Sequence, residues 1–198
     1  NQGSMQSVGN MSLAAHNITS SAGAPSTITT GGARTANATG ALNLNNTVNV
    51  TAKTTIALGA TGGGSNAGTI QAGNAITLSG GNLANSGQIA SQTVSSTGGI
   101  SNTGTVYGSD TVAVAGSTTN TGQIVATNSV NLGATGNSGV IQAQTVSLGA
   151  TSNGGSIAGN SVTASSLSNQ GTVGANNDIN VGGDVNNSGA IAANNINF

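Results

Sequence analysis

The run N102-T-G-T-V-Y-G-S-D-T-V-A-V-A-G-S-T-T119 is followed at once by N120-T-G-Q-I-V-A-T-N-S-V-N-L-G-A-T-G136, and the second stretch repeats the plan of the first. Each opens on N-x-G-x-[IV]. Each continues to a pair of aliphatic residues two apart, Val112 with Val114 and Val130 with Leu132. Working outward, the same pentad stands at N66-A-G-T-I70, N85-S-G-Q-I89, N153-G-G-S-I157, N169-Q-G-T-V173 and N187-S-G-A-I191. The unit at Asn137 reads as a variant whose Ile141 comes one place late. Successive pentad glycines, from Gly68 to Gly189, lie 19, 17, 18, 17, 16, 16 and 18 residues apart. The chain is an array of units of about 17 residues, and a repeat has to be read before any local element.

Within a unit the aliphatic residues alternate with polar ones. Ile76 with Leu78, Val146 with Leu148, Ile179 with Val181 and Ile196 with Phe198 continue the second pair, with Val94 and Val162 its weaker members. A shorter segment such as G81-N-L-A or G183-D-V-N leads to the next asparagine. Each unit therefore holds two clear short strands and a marginal third, with Gly, Asn and Ser at the turns. Such a unit is too short for a helical repeat or a propeller blade, and a period of two with so much glycine opposes helix. The economical geometry winds each unit once about an axis, stacking equivalent strands in parallel at about 4.8 Å per turn. The predicted fold is an all-β, right-handed parallel β-helix, a solenoid with coils of about 17 residues; its hand follows from strand twist. The 198 residues then make roughly 11 coils and a rod on the order of 50 Å long.

Upstream, Leu42 with Leu44, Val48 with Val50 and Ile56 with Leu58 keep the alternation without the glycine pentad. M11-S-L13 and H16-N-I-T read as the remnant of an outer unit, with Met5 and Met11 adding local apolar packing. Residues 20–40, with the single proline Pro25, alternate least. The expected organisation is one β-helix segment over 1–198, less regular over 1–40 and a regular array over 41–198. Repeat-like sequence reaches both ends, so the chain is expected to be an internal stretch of a longer rod.

Two positions in the pentad invite a physical reading. Glycine permits positive φ, or a close approach between chains, where the backbone turns. The recurring asparagines either stack into a ladder of amides or close separate Asx-turns, and the sequence leaves both open. A lone coil orders too much backbone for its few aliphatic side chains, so stability must come from neighbouring coils.

Composition narrows function. Charged residues make up only 3% of the chain, the net charge is −1 and hydrophobic residues reach 35%. Aromatic residues are limited to Tyr107 and Phe198, so the core must be thin and built from small aliphatic side chains. With no basic cluster, no nucleic-acid partner is expected. Without cysteine there is no disulfide framework or thiolate chemistry. No apolar run is long enough to span a membrane as a helix. The even spacing of aliphatics and the near-zero net charge oppose disorder.

Candidate chemistry is sparse. Glycoside cleavage needs paired carboxylates, but Asp110 stands about four turns from Asp178 and Asp184, which are read as exposed turn residues. No acidic cluster recurs for calcium. His16 has no acidic residue near it in sequence, and only Ser12 and Ser20 as nucleophilic company. No catalytic, cofactor-binding or metal-ligating residues are assigned, no cofactor is implied, and the protein is expected not to be an enzyme. Arg34 and Lys53 read as isolated solubilising charges, with contact to an anionic glycan a minor alternative. Tyr107 follows the inward Val106 and should point outward as a candidate sugar platform, whereas Phe198 should pack inside. An ice-binding face is excluded, because the outward positions Thr69, Gln88, Thr105, Gln123, Ser156, Thr172 and Ala190 are not uniform.

Units such as G80-G-N-L-A-N-S-G-Q-I-A, D178-I-N-V-G-G-D-V-N-N-S-G-A-I-A-A and the opening G9-N-M-S-L-A-A-H-N-I-T resemble the repeats of filamentous-haemagglutinin-type exoproteins. That family includes adhesins and the shafts of contact-dependent growth-inhibition proteins, exported by two-partner secretion. The resemblance covers 41–198 well and 1–40 loosely. It implies a secreted or cell-surface location outside the bacterial outer membrane and a role in cell adhesion or virulence. It also implies an outer-membrane transporter partner for the full-length protein, and a host or neighbouring bacterial cell surface, glycan or protein, as the contact. The family's amino-terminal secretion domain with its Asn-Pro-Asn-type motif and its carboxy-terminal effector have no counterpart here, since Pro25 lies in A24-P-S. The expected role is a structural shaft. The alternative is a carbohydrate-binding or carbohydrate-active solenoid, which a groove over residues 20–40 or around Tyr107 would favour. A spacer in a surface-layer or matrix protein is a third reading.

Overall fold

The computed structural model describes residues 3–19, 26–44 and 48–198; Pro25 lies outside them. Among the described residues every strand pairs in parallel with its equivalents in adjacent coils, in one continuous network without helix. The chain is a right-handed parallel β-solenoid. A representative coil has a first strand, Thr69–Ala72, a second, Ala75–Gly80, and a third, Leu83–Asn85. In the next coil the first two run together as Gln88–Ser96, with a register shift between Ser91 and Thr93. The third is Ile100–Asn102.

Alternation fixes which side chains enter the core, because successive residues of a strand face opposite ways. On the first strand Ile70, Ile89, Val106 and Ile124 stand in register in one interior column. Ile141, Ile157 and Val173 extend it, and all seven are essentially inaccessible. The predicted winding is therefore present. Ile141 corrects the reading of its unit as a variant. It pairs with Ile124 and Ile157, while Val140 takes the outward place beside Gln123 and Ser156. The second strand supplies a parallel column through Ile56, Ile76, Val94, Val112, Val130, Val146, Val162 and Ile179. The third is mixed, passing from Leu83 and Ile100 to Thr118, Thr135 and Thr151 and back to Leu167.

Winding continues through the described residues of the amino-terminal part, on longer coils. Met5 pairs with Ile28, Ile28 with Val50 and Val50 with Ile70. Strands Ser26–Thr30 and Arg34–Ala38 stack on Val48–Ala52 and Thr55–Ala60. At the other end, Phe198 corrects an expectation. It is 68% exposed rather than packed inside.

The pentad glycines serve close approach rather than positive φ. Among the described residues only Gly63 and Gly80 have positive φ. At Gly104, Gly122 and Gly139 a Cβ atom would instead strike the carbonyl oxygen of the glycine one coil before. Stacked glycines let the corner backbones nest, and any side chain would wedge them apart.

Candidate functional site

At the end of the third strand the asparagine side chains turn inward and form a buried amide ladder. Asn85 Nδ2 donates to Asn102 Oδ1 at 2.7 Å, Asn102 to Asn120 at 2.8 Å and Asn120 to Asn137 at 2.8 Å. The same bond joins Asn66 to Asn85, Asn137 to Asn153, Asn153 to Asn169 and Asn169 to Asn187. Each Nδ2 also donates to the carbonyl of the glycine two residues on, as from Asn102 to Gly104 at 3.1 Å. The ladder and the local turn coexist, because an amide nitrogen has two hydrogens to give. All links run in one sense. The ladder begins at Asn66, whose Oδ1 is buried without a hydrogen-bond partner among the described residues. The residue in register one coil before it is Leu44, where the run of asparagines stops. This column holds the rod together and leaves no reactive group facing solvent.

The titratable side chains lie apart. Asp110 accepts from Asn128 Nδ2 at 2.6 Å and Asp178 from Asn195 Nδ2 at 2.9 Å, so each caps an amide of the following coil. Asp184 and Lys53 are exposed. His16 is exposed, with Nδ1 3.0 Å from Thr39 Oγ1; Ser20 lies outside the described residues. Among the described residues no cluster of His, Cys, Asp or Glu could hold a metal ion.

Arg34 overturns its reading as a solubilising charge. It occupies the interior column of the second strand, in register between Met11 and Ile56, and is 1% exposed. Among the described residues none of its three guanidinium nitrogens has a hydrogen-bond partner. Burial pushes its pKa down to about 10, since the interior penalises the charged form. The alternation of Arg34-T-Ala36-N-Ala38 matches Ile56-A-Leu58-G-Ala60. That likeness would have revealed the position had the longer offset between these coils been recognised.

Tyr107 points outward as expected and is 39% exposed. It belongs to an outward column on the first strand that runs in register from Gln71 and Ala90 through Tyr107, Val125, Gln142, Ala158 and Gly174 to Ala192. From Val125 onward this column forms the floor of a groove of about 700 Å³, walled by Thr127, Gln144, Asn160 and Asn176. No charged residue lines it. A second, more open groove of about 620 Å³ lies along the third strand over Thr119, Gly136, Ser152 and Ser168, with Asp184 at its edge. Neither groove was anticipated residue by residue. The signal lay in the position just after each pentad aliphatic, where side-chain size falls from Tyr107 to Gly174.

These features define a parallel β-solenoid whose interior is aliphatic, whose corner is an amide ladder and whose lateral faces are polar and nearly uncharged. Among the described residues no helix is long and apolar enough to cross a membrane. The chain matches no protein-family model, no curated protein and no solved structure.

Proposed function

We propose that this chain is a stretch of the shaft of a secreted bacterial surface exoprotein of the filamentous-haemagglutinin type, an adhesin or a cell-contact protein. In this reading it does no catalysis and carries a binding or effector element away from the cell. The observation that supports it is the unbroken stacking of one interior column from Met5 to Ile191. A rod whose coils depend only on their neighbours can be lengthened without redesign, which is what a spacer needs. Its polar, weakly charged sides carry no long-range field to draw charged partners onto the rod. The full-length protein would reach that position through an outer-membrane transporter.

The test is made in the producing cell. Immunolabelling of the intact protein should place this segment outside the outer membrane. Removing whole coils in register should leave export intact while attachment to host or neighbouring cells falls as the rod shortens. Retention of the labelled segment inside the cell would overturn the reading, as would attachment that ignores rod length altogether.

A further inference from the structure

We propose that the groove running from Val125 to Ala192 binds a neutral, extended oligosaccharide laid along the rod axis. The inference rests on the geometry of the coils alone, so it stands or falls separately from the shaft reading.

The groove has a shape and a direction. Its floor is one outward column, which passes from Val125 and Gln142 to the small residues Ala158, Gly174 and Ala192. At Gly174 a Cβ atom would meet nothing within 4 Å, so the floor there is open. The cavity of about 700 Å³ falls within the size range of small-molecule sites. The coils repeat at about 4.8 Å, close to the length of one pyranose unit in an extended glycan. A ligand lying along the groove can therefore meet equivalent groups once per sugar.

The chemistry of the lining selects the ligand. Gln142, Gln144, Asn160 and Asn176 place primary amides along the groove, and all four are exposed. Asn176 Nδ2 donates to Asn160 Oδ1 at 2.8 Å, which orients those two amides and leaves Asn160 Nδ2 and Asn176 Oδ1 for a ligand. An amide offers donors and acceptors side by side, as a sugar hydroxyl does, so the two match without any charge. No Lys, Arg, Asp, Glu or His lines the groove. A phosphate, sulfate or carboxylate would find no counter-charge. Tyr107 stands one coil before Val125 in the same register, beyond the end of the groove, and offers an aromatic face on which the C–H face of a sugar leaving the groove can lie.

A peptide fits less well. Extended peptides bind by adding a strand to a free sheet edge or by seating side chains in apolar pockets. On this face the strands run across the groove and already pair with the coil on either side, and the walls are amides.

The test uses the full chain against immobilised linear neutral oligosaccharides of glucose, xylose and galactose, with affinities measured by calorimetry. Charged oligosaccharides and an extended peptide serve as competitors. At least one neutral series should bind, more tightly as the chain lengthens. Tyr107→Ala should weaken that binding by about tenfold or more. Gly174→Gln and, separately, Ala158→Gln should abolish it by filling the floor, while melting stays at the wild-type temperature. Either filling variant is decisive alone if the other fails to fold. The proposal is overturned if no neutral oligosaccharide binds, if only the charged ones or the peptide do, or if the folded variants bind like the wild type.

Discussion

Replacing Arg34 by methionine is expected to stabilise the amino-terminal coils. The arginine is 1% exposed, has no hydrogen-bond partner on any guanidinium nitrogen among the described residues, and sits between Met11 and Ile56 in an otherwise apolar column. Its pKa, lowered to about 10 by burial, measures how strongly the interior disfavours the cation; against the ordinary guanidinium range the difference is worth about 3 kcal/mol. Methionine has a similar length and keeps the packing while removing both the charge and the unmade hydrogen bonds. Because stability in a solenoid is local, the gain should appear in the coils around residues 26–38 rather than along the whole rod. Amide hydrogen exchange reads it directly. At neutral pH the protected amides of Arg34–Ala38 and Thr55–Ala60 should exchange roughly a hundredfold more slowly in the variant, the equivalent of about 3 kcal/mol. The pH dependence has a definite sign. A folded-state pKa below the unfolded one means the penalty is fully present at neutral pH. It is relieved as pH rises through about 10, where the folded chain loses the proton first. The gap between variant and wild type should therefore narrow above pH 10. Unchanged or faster exchange in Arg34→Met would refute the reasoning and would mean that the guanidinium has a counter-group.

Asn120→Leu should cost about 2–4 kcal/mol, since it strands the amide of Asn102 on one side and the carbonyl of Asn137 on the other. A lower melting temperature, with exchange speeded first near residues 102 and 137, is the expected result. Gly122→Ala should be strongly destabilising because its Cβ collides with the Gly104 carbonyl, whereas Gly136→Ala has open space above it and should leave melting nearly unchanged. Excising residues 121–137 removes one whole turn in register, since Asn120 and Asn137 are ladder equivalents. That deletion should fold cooperatively, while excising 121–128 should not, as judged by far-ultraviolet circular dichroism and thermal melting.

The winding was legible because the punctuation is chemical. Gly104, Gly122 and Gly139 must be glycine for the corners to nest, and Asn102, Asn120 and Asn137 must be asparagine for the amides to meet. Where those demands cease, the pattern fades although the coil does not. Before Asn66 the ladder position holds Leu44. The coils there are longer, so the register of Arg34 on Ile56 had no marker in the sequence. Ile141 was misplaced for a smaller reason, since Val140 beside it is an equally apolar residue facing out. The groove was hardest to see, because shape on a lateral face is set by differences between coils, and a repeat is found by looking for sameness.

The bonds between coils bear on how such a rod behaves under load. Every backbone hydrogen bond that joins one turn to the next, such as Thr105 N to Gly87 O at 2.9 Å, lies along the long axis. A pull on the two ends therefore opens these bonds in tension, one layer at a time, instead of shearing many at once. Each turn that peels away frees a strip of about 17 residues, roughly 55 Å of extended chain, before the next layer feels the strain. Stretched between two anchored points, the molecule would lengthen in steps at nearly constant force and act as a shock absorber.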